Sequence, residues 1–133
     1  MNKLEHIGIA VKNLEESNRL FSRLLGTDPY KTEIVEREGV KTSFFKVGDV
    51  KIELLEATHP DSPIARFIEK KGEGVHHLAF DVQPIEEKME NLKSEGFGLL
   101  ADTPKPGADN KKIVFLHPKT TNSVLVELCQ DRG

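Results

Sequence analysis

An internal duplication constrains this chain more than any other feature. The segment HIGIAV, from His6 to Val11, is followed by the acidic pair Glu15 and Glu16. The segment HLAFDV, from His77 to Val82, is followed by Glu86 and Glu87. A shift of 71 residues lays His6 on His77, Val11 on Val82 and one acidic pair on the other. Each copy closes on an apolar stretch with a central glutamate, Ile52-Glu53-Leu54 in the first and Val126-Glu127-Leu128 in the second. Two like modules therefore each contribute one imidazole and one carboxylate. Brought together, those four groups are a ligand set for a metal ion.

Side-chain periodicity gives each copy the order β-α-β-β-β. Residues 4–11 read as a strand in which Ile7, Ile9 and Val11 alternate with His6, Gly8 and Ala10. Asn13, with Glu16 three positions on, starts a helix over 14–25 that Gly26 stops. Strands follow at 31–37, 41–47 and 50–56, with turns at Gly39 and at Gly48-Asp49. Ser62 and Pro63 open a linker helix with Ile64, Phe67 and Ile68 as its apolar face, and Gly72 ends it. The second copy repeats the order with a strand at 76–82, a helix at 84–95, and strands near 98–101, 111–116 and 123–129. Residues 103–110 read as a loop. The fold class is α+β. A single domain, 1–133, is built from two modules of about 1–58 and 74–133 joined by the linker helix.

Successive strand side chains point to opposite faces, so the ligand candidates can be sorted. His6 shares its face with Gly8 and Ala10, and His77 shares its face with Ala79. Glu53 faces away from Ile52 and Leu54, and Glu127 away from Val126 and Leu128. All four groups lie opposite the bulky residues that cover the helices. A curved sheet with helices outside leaves a concave cavity on that face. One histidine at a strand start is ordinarily a polar residue near a turn, and one glutamate in a strand is ordinarily an edge residue facing solvent. Their repetition in register sets those readings aside, because two unpaired carboxylates in a cavity are costly and a divalent cation offsets the cost. The expected metal ligands are His6, Glu53, His77 and Glu127, suited to Co²⁺, Zn²⁺, Ni²⁺, Mn²⁺ or Fe²⁺. His76 points the other way, and His59 and His117 precede prolines in loops. Cys129 shares a face with Glu127 and reads as a buried, inert thiol.

Other classes are excluded by composition. A formal net charge of -3 gives no footprint for nucleic acid. No apolar run approaches the ~20 residues of a membrane span. A strand beginning at Leu4 leaves no room for a signal peptide, and the single Cys129 suits a reducing cytosol, so a cytoplasmic location is expected.

Five segments carry a resemblance over nearly the whole chain: HIGIAVKNL from His6, VGDVKIELLE from Val47, GEGVHHLAF from Gly72, FLHPK from Phe115 and VLVEL from Val124. Together they resemble the vicinal oxygen chelate (glyoxalase/bleomycin resistance/dioxygenase) superfamily and, within it, the methylmalonyl-CoA epimerases. The resemblance implies paired βαβββ modules in a curved, cup-shaped mixed sheet with helices outside, one divalent metal on the same four ligands, an acyl-CoA substrate and a homodimer. It implies interconversion of the 2R and 2S forms of methylmalonyl-CoA by 1,1-proton transfer through a metal-stabilised enolate. Glu127 is the first expected base. Some epimerases carry a second glutamate where this chain has Thr42, which leaves Glu53, a water or another residue to act from the opposite side. Lys105, Lys111 and Lys112 are candidates by position for the CoA tail. Three alternatives remain at this stage. A glyoxalase-type lyase acting on a thiol adduct would use the same ligands, an iron-dependent ring-cleaving dioxygenase would use two histidines and one glutamate, and a binding protein would need no metal.

Overall fold

Strands and helices form where alternation and caps direct them. The computed structural model describes residues Met1–Gly133. In chain order the elements are β1 (Lys3–Ala10), α1 (Leu14–Leu25), β2 (Lys31–Val35), β3 (Val40–Val47), β4 (Val50–Ala57), α2 (Pro63–Lys71), β5 (Gly74–Asp81), α3 (Ile85–Ser94), β6 (Lys105–Pro106), β7 (Lys111–Phe115) and β8 (Val126–Asp131). The class is α+β, with the order βαβββ occurring twice around the linker helix α2. The chain divides into two compact units, one of His6–His76 and the other of Met1–Glu5 with His77–Gly133.

In the first unit the strand order is β2-β3-β4-β1. β1 runs parallel to β4 with Gly8 opposite Glu53, and the other pairings are antiparallel. The Asn13 side chain accepts the Glu16 amide at 2.9 Å, and Gly26 closes α1 in the left-handed region at φ 72°. Helix α1 covers one face, where Leu14 packs with Val11, Phe45 and Leu54 and is flanked by Ile9, Phe21, Leu25 and Ile52. Helix α2, capped by Ser62, does not join it. Its buried Ile64 packs on Ala10, Val40 and Leu55. Those residues alternate with the α1-facing set, so α2 covers part of the face that carries His6 and Glu53. The module helix α1 thus lies on the outer face as expected, and the linker helix packs on the other.

The second unit has the order β5-β8-β7-β6, with β5 parallel to β8 and Ala79 opposite Glu127. Ile85 and Met89 of α3 pack on Val82, Val114 and Leu128. The first residues of the chain are tied here, the Asn2 amide donating to the Asp81 carbonyl at 2.9 Å. The strand expected near 98–101 reduces to one bridge between Leu99 and Leu116, because Asp102, Thr103 and Pro104 break the alternation just beyond it. The expected loop contains β6 instead. Its Pro106 lacks a donor and is tolerated at the sheet margin, and Asp109 and Asn110 turn the chain at φ 58° and 56°.

One tie occurs in both units. The Leu14 amide at the start of α1 donates to Glu56 Oε2 at 3.0 Å, and the Ile85 amide at the start of α3 donates to Gln130 Oε1 at 2.7 Å. Glu56 follows Glu53, and Gln130 follows Glu127, by three residues. The strand that carries each candidate ligand therefore also holds the N-terminus of its own module's helix.

Candidate metal centre

The duplication produces two matching pairs of buried side chains. His6 and Glu53 are 4 % exposed, His77 is 6 % and Glu127 is 5 %. His6 Nδ1 lies 3.1 Å from Glu53 Oε2, and His77 Nε2 lies 3.4 Å from Glu127 Oε1. Strand register explains each pair. Glu53 stands opposite Gly8, two residues after His6, and Glu127 stands opposite Ala79, two residues after His77. Residues in register share a face, so the small residue leaves room for the carboxylate to reach the imidazole.

Each carboxylate also has a phenylalanine opposite it on the strand on its other side. Phe44 pairs in register with Glu53 and is fully buried, and Phe115 pairs with Glu127. The Phe115 ring stands edge-on to the His77 ring, with centroids 5.8 Å apart and planes at 89°. These apolar flanks lower the local dielectric and raise the cost of an uncompensated carboxylate. Neither ring was among the expected site residues. Their signal lies in pairing register, which a single strand's periodicity does not reveal.

The donor set fits a divalent ion. With metal–nitrogen and metal–oxygen bonds of about 2.1 Å, two ligands on one cation sit about 3.0–3.4 Å apart for octahedral to tetrahedral angles. The two imidazole–carboxylate separations of 3.1 and 3.4 Å fall in that interval. Imidazole with carboxylate suits the first-row divalent metals.

The remaining expectations divide. His76 stands edge-on to Phe67 of α2 with centroids 5.0 Å apart, and burial pushes its imidazole down to about 4. Cys129 is fully buried and its thiol is pushed strongly up, first by desolvation and then by the Glu127 and Glu5 carboxylates, so it is an inert thiol. His59 is exposed, and His117 accepts the Lys119 amide through Nδ1. Lys111, a candidate for the CoA tail by position, is instead buried, 7 % exposed and bonded to Asp131, with Glu5 at 3.7 Å. Lys112 donates to Glu86 of α3 at 2.8 Å, and this bond holds the Glu86 carboxyl below its ordinary range.

Comparison with known proteins places the chain in a family. Residues 5–115 match the model of the glyoxalase/bleomycin resistance protein/dioxygenase superfamily. The chain is 42 % identical over 133 residues to the uncharacterized protein YqjC of Bacillus subtilis, covering 100 % of this chain and 95 % of that one. It is 37 % identical over 131 residues to the mitochondrial methylmalonyl-CoA epimerase of Homo sapiens, covering 98 % and 74 %. A solved structure of Streptomyces coelicolor methylmalonyl-CoA epimerase in complex with 2-nitronate-propionyl-CoA superimposes with a TM-score of 0.95 at 32 % identity, covering 100 % of this chain and 96 % of that one. The chain belongs to the glyoxalase/bleomycin resistance protein/dioxygenase superfamily, and its characterised relatives are methylmalonyl-CoA epimerases. These relatives make it an enzyme of the isomerase class.

Proposed function

We propose that this chain epimerises methylmalonyl-CoA with the help of one divalent metal ion, in a single domain whose two modules supply two ligands each. The observation that carries the reading is the pair of buried imidazole–carboxylate contacts at duplicated positions, His6 with Glu53 and His77 with Glu127. The relatives that share most of the chain and bear the epimerase name support the choice of substrate.

A divalent ion held by His6, Glu53, His77 and Glu127 would supply Lewis-acid polarisation of the substrate's thioester carbonyl. The substrate's α-carbon lies between that carbonyl and a free carboxylate. When its C–H bond breaks, the electron pair moves onto the thioester oxygen and leaves a planar enolate. Glu127 takes the proton, because its carboxylate is a buried base whose apolar flank keeps bulk water away. Glu53, its counterpart in the first copy, would start the turnover protonated and give that proton to the opposite side of the enolate carbon, completing the inversion. Glu127 is then left protonated and Glu53 ionised, set for the reverse reaction or for reset by exchange with solvent. The same two side chains serve the reverse direction. A cytosolic homodimer completes the reading. The lone Cys129 supports the compartment, and the family resemblance supports the dimer.

Glu127→Gln tests the assignment. The change preserves shape and removes one base, so α-proton exchange of the epimer that Glu127 deprotonates should fall at least about 100-fold, with interconversion of the two epimers lost alongside it. Near-normal exchange would remove Glu127 from this role. Consumption of a methylglyoxal–thiol adduct by the wild-type enzyme, without turnover of methylmalonyl-CoA, would instead select the glyoxalase-type reaction.

A further inference from the structure

The buried ion pair between Glu5 and Lys111 takes no part in the chemistry above, yet it lies one residue from His6. The Glu5 side chain is 4 % exposed and the Lys111 side chain 8 %, with Nζ 3.7 Å from Oε2. Lys111 also donates to Asp131, its register partner on β8, whose side chain is 77 % exposed. Burying two such charges costs several kcal/mol, and replacing such a pair by apolar side chains of similar size is often neutral or stabilising. Stability alone therefore does not account for it.

Its place in the chain does. Met1–Glu5 belongs with the second half of the sequence, and the segment is fastened there at two points. Asn2 holds the Asp81 carbonyl and carboxylate, at 2.9 and 3.3 Å, and Glu5 holds Lys111. Lys111 sits on β7, the strand of Phe115, and bonds to β8, the strand of Glu127. The pair thus fixes the backbone immediately before His6 to the strands that bear the second copy's site residues.

We propose that Lys111, through Glu5, is a positioning residue that sets His6 in place as a metal ligand. This rests on the metal-dependent reading above. The geometry it maintains is that of a ligand held by its outer partners, whose loss typically weakens metal affinity by about 10- to 100-fold. The β4 pairing still holds the His6 backbone, so removing the ammonium should release the Glu5 side chain and loosen the setting of the His6 imidazole rather than unseat the strand. Conversely, a planar guanidinium at the same position can still reach both carboxylates.

The test is Co²⁺ binding, followed by calorimetry and by the visible absorption of the bound ion. It compares the full chain with Lys111→Met, Lys111→Arg and the near-isosteric Glu5→Gln, and records the thermal midpoint of each metal-free protein. Lys111→Met and Glu5→Gln should bind Co²⁺ at least about 10-fold more weakly at a temperature where each is folded, and Lys111→Arg should recover most of the affinity. The metal-free midpoint should be lowered in Lys111→Met, which strands the Glu5 carboxylate, and closer to wild type in Glu5→Gln, where Lys111 keeps Asp131. Wild-type affinity in both Lys111→Met and Glu5→Gln would overturn the proposal. So would a loss of affinity confined to the destabilised Lys111→Met, absent from Glu5→Gln and not recovered by arginine, which would make the pair merely structural. A wild-type chain that takes up no Co²⁺ would overturn the ligand assignment first, and this inference with it.

Discussion

Acidification from pH 7 to pH 5 should weaken the metal-free fold through His76. This imidazole packs against Phe67 with centroids 5.0 Å apart, and burial pushes it from its ordinary 6.5 down to about 4. Below pH 6.5 the unfolded chain binds a proton that the folded chain refuses until about pH 4. The contribution of the neutral imidazole is therefore complete above 6.5, is lost as pH falls and levels off below 4. The slope is at most about 1.4 kcal/mol per pH unit, which gives a loss of about 2 kcal/mol between pH 7 and pH 5. Urea unfolding of chelator-treated protein at pH 5, 6 and 7 measures it, and other groups cancel by comparison with His76→Phe. The variant should lose about 2 kcal/mol less than the wild type over that range. Parallel pH profiles for the two proteins would show that His76 takes up its proton in the folded state as readily as in the unfolded one, and would refute the argument.

Two further outcomes follow from the same geometry. Gln130→Ala removes the acceptor for the first amide of α3, whose N-cap Pro84 supplies none, so chemical denaturation should show a loss of about 1 kcal/mol. His6→Ala and His77→Ala should each lower the bound metal measured by elemental analysis after dialysis, and a full equivalent in either variant would contradict the ligand set.

The local signals that placed the helices and most strands were legible in the sequence because each has a short-range cause. Asn13 before Leu14, Ser62 before Pro63, and the glycines after Leu25 and Lys71 all act within one helical turn. The His–Glu pairs were legible for a different reason: the duplication supplied the long-range information that one strand lacks. What escaped depends on which strand lies beside which. Phe44 and Phe115 reach the carboxylates only through the β3–β4 and β7–β8 registers. Position alone made Lys111 a candidate for the CoA tail; its burial depends on β7 setting it against Asp131, with Glu5 arriving from the far end of the chain. Helix α2 had a clear apolar face, but its period cannot say which side of a sheet that face will cover. Strand 98–101 failed because one bridge, Leu99 to Leu116, is all that the chain sustains before Asp102 and Pro104.

The central claim is a metal-assisted proton transfer at the carbon between a thioester and a carboxylate. Proton NMR of methylmalonyl-CoA in deuterated buffer, with chelator-treated enzyme before and after addition of Co²⁺, tests it most directly. The account predicts that the α-proton signal persists with the metal-free chain and disappears once the ion is added. A signal that survives in the presence of Co²⁺, or that vanishes equally fast without it, would contradict the claim.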